Sequence, residues 1–226
     1  MEGKSKTYYI SIAGVMGSGK TTAANLLAQE LGFYLFEENV AENAFLPLFY
    51  KDAKRWALPT QLFYLYEKAK QLNRVKDLLS RVSVVQDTPI YQDHFTYAKA
   101  SKVLGYTSED EYSLYAGFYN TLKEDLPVPD LIVGLEASLP VVESRIKKRS
   151  RDFEKEVDMS YVSLLSELQK EWIREHTNLN IITVNTDTLD LVSNESHKNN
   201  FLKTVKNGLR IQLSALPPSL KYSEAR

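Results

Sequence analysis

One stretch near the start of the chain carries residues suited to binding phosphate. Residues 14–21 read Gly-Val-Met-Gly-Ser-Gly-Lys-Thr and match the phosphate-binding loop pattern G-x-x-x-x-G-K-[ST] at every required position. In such a loop the glycines let backbone amides point at phosphate oxygens, the lysine reaches the outer phosphates, and the last hydroxyl binds magnesium. The sequence therefore predicts a nucleotide and Mg²⁺ site formed by Gly14, Gly17, Ser18, Gly19, Lys20, Thr21 and Thr22.

The segments on either side of the loop are those that such a site requires. Residues 8–13 form a short apolar, β-prone run, and residues 22–31 consist of helix formers that end at Gly32. A strand before the loop and a helix after it place bound phosphates at the positive end of the helix dipole. This context argues against an accidental match to the motif.

Carboxylates follow two further predicted strands. Residues 33–36 are apolar and aromatic and run into Glu37 and Glu38, and the apolar run at 82–86 ends at Asp87. Ligands of open α/β sheets bind at the carboxyl ends of the strands. In nucleotide enzymes with this loop, an acid at the end of a neighbouring strand completes the magnesium site. We therefore expect Thr21 and Asp87 to hold the metal.

A basic cluster lies farther along the chain, with five cations in the seven positions of residues 145–151. Cations at the end of a helix offset its dipole. Beside a triphosphate site, however, we interpret the cluster as a basic lid over about residues 145–156 that closes on phosphates. The predicted phosphate contacts are Arg145, Arg149 and Arg151.

The remaining pattern alternates strands with helices. Further strands are predicted at 131–135 and 179–184, and helices at 54–76 around Pro59, 91–104, 108–122, from 139, 161–176 and 200–213. Such alternation indicates a parallel sheet covered on both faces. We predict an α/β fold: a P-loop three-layer sandwich of about five parallel strands with a short basic lid. Residues 1–214 are expected to form one domain and residues 215–226 a disordered tail.

Composition narrows the class of protein. The chain has 226 residues and no cysteine, which argues against a disulfide framework and against thiol chemistry. Its net charge of −1 gives no overall field that would hold it on nucleic acid or an anionic membrane. The absence of a signal-like or membrane-spanning stretch leads us to expect a cytoplasmic protein.

Three stretches, in order and at their spacing, resemble the deoxynucleoside kinase family, whose members phosphorylate deoxynucleosides in salvage. The resemblance runs from the loop to about Tyr161. The first stretch is 36–56, similar to the family's Glu-Glu-Pro-Val, Asn-Pro-Phe-Leu, Phe-Tyr and Arg-Trp series, although Asn39 and Ala44 replace the usual prolines. It implies that Glu38 is the base toward the 5′-hydroxyl. Tyr50 in this stretch and Gln61 shortly after it match positions that hold the sugar's 3′-hydroxyl and the base edge.

The second stretch is 87–93, Asp-Thr-Pro-Ile-Tyr-Gln-Asp, where many relatives carry Asp-Arg-Ser or Glu-Arg-Ser and then an aspartate. Thr88 here replaces an arginine that helps to orient the substrate in those relatives. The resemblance implies that Asp93 contacts the substrate and that Tyr97 stacks on its base.

The third stretch is the basic cluster, similar to the family's lid. By this match Arg149 and Arg151 contact phosphates and Glu154 closes on the sugar hydroxyl. The implied catalytic residues are Glu38, Lys20 and Arg149, and the implied reaction is transfer of the γ-phosphate of ATP, with Mg²⁺, to the 5′-hydroxyl of a deoxynucleoside. The family also implies a homodimer, for which the helix at 54–76 would suit an interface, although its apolar residues would equally suit a core.

Two other functions remain open on the residues alone. A nucleoside monophosphate kinase would share the fold and the lid but needs extra cations for the acceptor's phosphate, whereas the segment after the second strand offers Glu37, Glu38 and Glu42. A nucleotide-binding regulator without turnover is kept open by Thr88. A GTPase switch is disfavoured, because neither Asp-x-x-Gly after the third strand nor Asn-Lys-x-Asp occurs.

Overall fold

The computed structural model describes residues 6–38, 42–149, 151 and 157–210. Within this part of the chain, five parallel strands form one sheet in the order β2-β3-β1-β4-β5. Their bounds are β1 (Tyr9–Ala13), β2 (Tyr34–Phe36), β3 (Val84–Asp87), β4 (Leu131–Glu136) and β5 (Ile181–Asn185). The predicted α/β P-loop sandwich is confirmed.

The strand register brings the phosphate-binding loop next to the acidic strand ends. β1 lies at the centre of the sheet, and Ile12 near its end pairs with Asp87 of β3. On the other side Ala13 pairs with Gly134 of β4. Every residue of β1 is buried, as expected of a parallel strand that is covered on both faces.

Helices cover both faces of the sheet. They are α1 (Lys20–Leu31), α2 (Leu46–Lys51), α3 (Ala53–Leu78), α4 (Ile90–Gln92), a π-helical turn (Asp93–Ala98), α5 (Lys99–Val103), α6 (Glu109–Lys123), α7 (Leu139–Arg149), α8 (Met159–Glu175) and α9 (Glu195–Gly208). Side chains of α1 and α9 pack on Ile10 and Ile12 of β1. Side chains of α3 and α6 pack on Tyr9, which points to the opposite face because side chains alternate along a strand. The result is the three-layer arrangement.

Helix boundaries depart from the predicted ones where capping decides them. α3 begins at Ala53 and continues through Pro59, with the side chain of Asp52 accepting a hydrogen bond from the Arg55 amide. α9 begins at Glu195, five residues before the predicted start at Asn200, because the side chain of Asn194 caps it. The short helix α2 was not predicted, since six residues are too few to show a helical period.

The outer face of α6 carries apolar side chains. Leu114 and Phe118, one helical turn apart, are 53% and 50% exposed, and Tyr66 of the neighbouring helix α3 is 59% exposed. We call these three residues the α3/α6 patch. None of the helices in the described ranges has both the length and the apolar character needed to cross a bilayer.

Candidate active site

The phosphate-binding loop has the backbone shape that its glycines allow. Gly17 and Gly19 have φ values of 77° and 100°, a region that favours glycine. A Cβ atom on Gly14 would lie 2.2 Å from Oγ of Ser18, so the loop could not close around a larger residue. Nζ of Lys20 lies 3.4 Å from the Val15 carbonyl, which places the ammonium over the loop. The loop residues named from the motif thus lie together at the end of β1.

Gln92 of α4 fastens the start of the loop. Its Oε1 accepts a hydrogen bond of 2.6 Å from the Gly14 amide, and its Nε2 donates one of 2.7 Å to the Gly14 carbonyl. Gln92 is fully buried. Sequence analysis did not identify this residue, because a single glutamine in a stretch of mixed polarity carries no signal of its partner.

Arg145 braces the loop from α7. Its guanidinium donates to the carbonyls of Gly17 and Ser18 at 3.4 and 3.3 Å, and to the hydroxyl and carbonyl of Thr186 at 3.0 and 2.5 Å. Arg145 was predicted to contact phosphate. It lines the cavity beside the loop, so its contact with phosphate stays a prediction, and its hydrogen bonds to protein oxygens also support the loop.

Thr21 and Asp87 meet at the end of β3. The Thr21 hydroxyl donates a hydrogen bond of 2.7 Å to Oδ2 of Asp87, and the Thr88 hydroxyl donates to Oδ1 at 3.2 Å. Burial raises the pKa of Asp87, and the charge of Lys20 acts in the opposite direction.

The pair of Thr21 and Asp87 fits the ligand preference of magnesium. Mg²⁺ prefers hard oxygen ligands and is commonly held by one or two carboxylates together with phosphates and water. The described residues contain no group of three or more His, Cys, Asp or Glu side chains that could hold a metal. A hydroxyl and a carboxylate beside a phosphate-binding loop nevertheless match the usual Mg²⁺ site.

A cavity of about 290 Å³ opens beside the loop and collects most of the remaining predicted residues. It is bounded by acidic and aromatic side chains and by the cations of the loop and lid. Its wall includes Glu38, Tyr50, Gln61, Asp87, Asp93, Tyr97, Lys20, Thr21, Arg149 and Arg151. We call it the acidic cavity. Glu154 lies outside the described residues, as do residues 150 and 152–156 of the lid.

The π-helical turn Asp93–Ala98 presents two of these side chains to the acidic cavity. Turns of this kind occur often at functional sites. Burial raises the pKa of Asp93 to about 7, and the positive charge of Lys68 opposes this rise. Oδ2 of Asp93 and Oε1 of Gln61 are buried and have no hydrogen-bond partner among the described residues. These oxygens can accept hydrogen bonds from a ligand.

Lys68 of α3 is a buried cation behind the acidic cavity. Its side chain is 2% exposed, its Nζ donates a hydrogen bond of 2.9 Å to the Asp87 carbonyl, and it forms an ion pair of 3.3 Å with Oε1 of Glu38. Lys68 was not predicted from the sequence, because lysines between the apolar positions of a helix are usually exposed. Its position, three residues after Leu65 and seven after Gln61, was the available signal, because this spacing puts it on the buried face of the helix.

A second cavity of about 450 Å³ lies along the loop and the start of α1. We call it the loop cavity. It extends from Gly17, Ser18, Gly19 and Thr22 to residues 189–192 after β5. The loop cavity and the acidic cavity share four residues, which are Lys20, Thr21, Arg149 and Arg151. Two ligands could therefore meet end to end at these side chains.

Comparison with known proteins agrees with this geometry. A family model described as Deoxynucleoside kinase matches residues 10–210. The chain is 33% identical to the deoxyguanosine kinase of Bacillus subtilis over 192 residues. This alignment covers 83% of this chain and 91% of the relative. It is 30% identical to the deoxyadenosine kinase of Lactobacillus acidophilus over 210 residues. This alignment covers 89% of this chain and 96% of the relative.

A solved structure shares the fold over nearly the same length. The structure of deoxyadenosine kinase from M. mycoides with bound dATP is similar with a TM-score of 0.77 at 26% identity, covering 89% of this chain and 99% of that chain. The match to the family model spans most of the sequence, and relatives of the same family align along nearly their whole length. The chain belongs to the deoxynucleoside kinase family and is a phosphotransferase.

Proposed function

We propose that this kinase transfers the γ-phosphate of ATP to the 5′-hydroxyl of a deoxynucleoside, with Glu38 as the base. One observation carries the proposal: the loop cavity and the acidic cavity share Lys20, Thr21, Arg149 and Arg151. A donor in the first and an acceptor in the second would then bring the γ-phosphate and the attacking oxygen together among cations. Phosphoryl transfer depends mainly on such positioning and on charge stabilisation.

The donor binds along the loop in this proposal. The backbone amides of residues 14–19 would cradle the β- and γ-phosphates at the start of α1, where the helix dipole adds positive potential. Lys20 reaches the outer phosphates, while Arg149 and Arg151 offset the charge that develops during transfer. Residues 189–192, at the far end of the loop cavity, would contact the donor's base.

Magnesium would be held by Thr21 and Asp87. When bound there, it supplies positive charge beside the donor's β- and γ-phosphates. This assignment is supported by the Thr21 hydroxyl and the Asp87 carboxylate, which lie 2.7 Å apart beside the loop. Both groups offer oxygen atoms that can act as metal ligands.

The acceptor binds in the acidic cavity. Its 5′-hydroxyl would face Glu38, which takes the proton at or after the transition state, a contribution that is typically worth about 10² to 10⁴ in rate. Tyr50 and Gln61 would hold the sugar and the base edge, and Tyr97 would stack on the base. Asp93 adds another buried acceptor oxygen on the same cavity wall.

A neutral acceptor suits this wall better than a monophosphate does. Glu37, Glu38, Asp87 and Asp93 all line the acidic cavity, and a phosphate group there would meet carboxylates. The cations on the same wall are those shared with the loop cavity, where the transferred phosphoryl group would lie.

We further propose a homodimer and a single kinase domain over residues 1–214. The α3/α6 patch is the candidate contact for the dimer, because α3 and α6 pack against each other and both expose large apolar side chains. The match of the family model to residues 10–210 supports the single domain.

The test is a substrate panel with ATP and Mg²⁺. Purified protein is given each of the four deoxynucleosides, beginning with deoxyguanosine and deoxyadenosine, and the four deoxynucleoside monophosphates in parallel, and the products are identified by mass and by ³¹P NMR. We expect 5′-monophosphate from at least one deoxynucleoside and no diphosphate from the monophosphates. Turnover of monophosphates alone would contradict the proposed acceptor. If neither series gives a phosphorylated product although the protein binds ATP, the proposed reaction is contradicted.

A further inference from the structure

We propose that Lys68 is a positioning residue for phosphoryl transfer: from behind the acidic cavity it fixes the Glu38 carboxylate against the end of β3. This inference rests on the proposed function, because it assumes that Glu38 is the base. It concerns a residue that no sequence motif marks and that supports the reaction without touching the substrate.

The position of Lys68 separates it from the ligand-binding wall. Glu38, Asp87 and Asp93 all line the acidic cavity, whereas Lys68 is not among the described residues of that wall. Its side chain reaches from the buried face of α3 and is 2% exposed. Its contacts with Glu38 and with the end of β3 are therefore the route by which it can position a bound substrate.

The contacts of Lys68 join two strand ends. Its Nζ lies 2.9 Å from the carbonyl of Asp87, the last residue of β3, and 3.3 Å from Oε1 of Glu38, two residues beyond β2. A buried ammonium group is costly unless it is paired and hydrogen-bonded. The two contacts of Lys68 therefore hold Glu38, the proposed base, at a fixed distance from the end of β3, which carries the proposed metal ligand Asp87.

The same geometry orients the base. A carboxylate has two oxygens, and Lys68 engages Oε1 of Glu38, so Oε2 is the oxygen available to the substrate's hydroxyl. The Glu38 side chain is 20% exposed, and Glu38 lines the acidic cavity. Without Lys68, the carboxylate could rotate toward Lys20 or solvent, and the attacking oxygen would lose its partner. A small displacement of this kind is enough to slow transfer strongly.

Charge gives Lys68 a second role in the same cluster. Its buried ammonium pairs with Glu38, and Glu38 lines the acidic cavity together with Asp87 and Asp93. Keeping a positive charge at this place is therefore part of the role, in addition to the shape of the side chain.

A double-mutant cycle tests the inference, because residues that act as one unit have non-additive effects. The variants are Lys68→Met, Glu38→Gln and the double variant, with Lys70→Met as the control from the exposed side of α3, where Lys70 pairs with Glu67. We expect Lys68→Met to lower kcat about tenfold or more, a part of the roughly 10² to 10⁴ that a general base contributes. The KM for ATP should change little, and Lys70→Met should match the wild type.

The decisive result is the effect of Lys68→Met in the Glu38→Gln background. We expect the loss in kcat to disappear there, since Lys68 would act through a carboxylate that is no longer present. The same loss in both backgrounds would overturn the inference and leave the proposed function standing. Wild-type turnover of Glu38→Gln alone would instead overturn the proposed base, and the inference with it.

Lys68→Arg supplies a second route if Lys68→Met does not fold. The arginine keeps the charge but changes the hydrogen-bond geometry. We expect it to lower kcat in the wild-type background and to have no effect on kcat beside Glu38→Gln. An equal loss in both backgrounds would again overturn the inference.

Discussion

The hydroxyl of Thr21 lies 2.7 Å from the carboxylate of Asp87, although 66 residues separate them in the chain. The sheet creates this contact, because β1 and β3 are neighbours and Ile12 pairs with Asp87. Thr21 is the last residue of the phosphate-binding motif and the second residue of α1, so the pair lies where the donor's phosphates would end. The two oxygens could share one metal ion.

Replacing Thr21 should therefore weaken the response to magnesium. We expect Thr21→Val to raise the Mg²⁺ concentration for half-maximal activity about 10- to 100-fold, the range seen when groups around a metal site are lost. Thr21→Ser keeps the hydroxyl and should stay near the wild type. A magnesium titration of the initial rate checks this, and an unchanged half-saturation point for Thr21→Val would contradict the assignment.

Gln92 should control the shape of the loop without contacting the nucleotide. Gln92→Leu removes both hydrogen bonds to Gly14 and leaves a buried amide and carbonyl without these partners, which typically costs about 1–3 kcal/mol for each buried group. We expect ATP affinity, measured by calorimetry, to fall about tenfold or more, since 1.4 kcal/mol equals a factor of ten. Gln29→Leu, which changes an exposed glutamine near the end of α1, should leave ATP affinity unchanged. Equal affinities for both variants would show that Gln92 does not shape the loop.

The fold and the phosphate loop could be predicted from the sequence because their signals are local. β1, α1 and the glycines of residues 14–19 follow from apolar runs, a helix-ending glycine and a motif with strict spacing. The acidic ends of β2 and β3 could also be placed, since parallel strands present their carboxyl ends at one edge.

Partners across the fold could not be predicted in the same way. Arg145 belongs to a basic cluster whose members look alike in sequence, yet its donors bind the carbonyls of Gly17 and Ser18. Gln92 meets Gly14 only because α4 packs under the loop. These roles depend on long-range contacts, which charge and hydropathy patterns do not specify.

The buried Asp93 should make the free energy of unfolding depend on pH. Burial raises its pKa from 3.8 to about 7, so between these values the folded state binds a proton that the unfolded state has released. The free energy of unfolding should then fall as pH rises through this window. Asp93→Asn cannot ionise, so its stability relative to the wild type should increase from pH 5 to pH 8. Urea unfolding at the two pH values measures this, and a constant difference would contradict the raised pKa.

The α3/α6 patch predicts the oligomeric state. We expect the wild type to sediment as a dimer and Phe118→Glu to sediment as a monomer, because a charge would be buried against an apolar partner surface. Val128→Glu is the control, since Val128 is also an exposed apolar residue, at 59%, but lies outside the patch. A monomeric wild type would contradict the dimer. Dissociation by Val128→Glu and not by Phe118→Glu would place the interface outside the patch.

The most direct test of the central claim compares Glu38→Gln with Glu37→Gln in steady-state assays on the deoxynucleoside that the panel selects. Both residues line the acidic cavity, but only Glu38 is paired with Lys68 and assigned to the 5′-hydroxyl. The account predicts that Glu38→Gln folds normally and loses about 10² to 10⁴ in kcat, while Glu37→Gln retains most of the wild-type turnover. Near-normal kcat for Glu38→Gln, or an equal loss in both variants, would contradict Glu38 as the base.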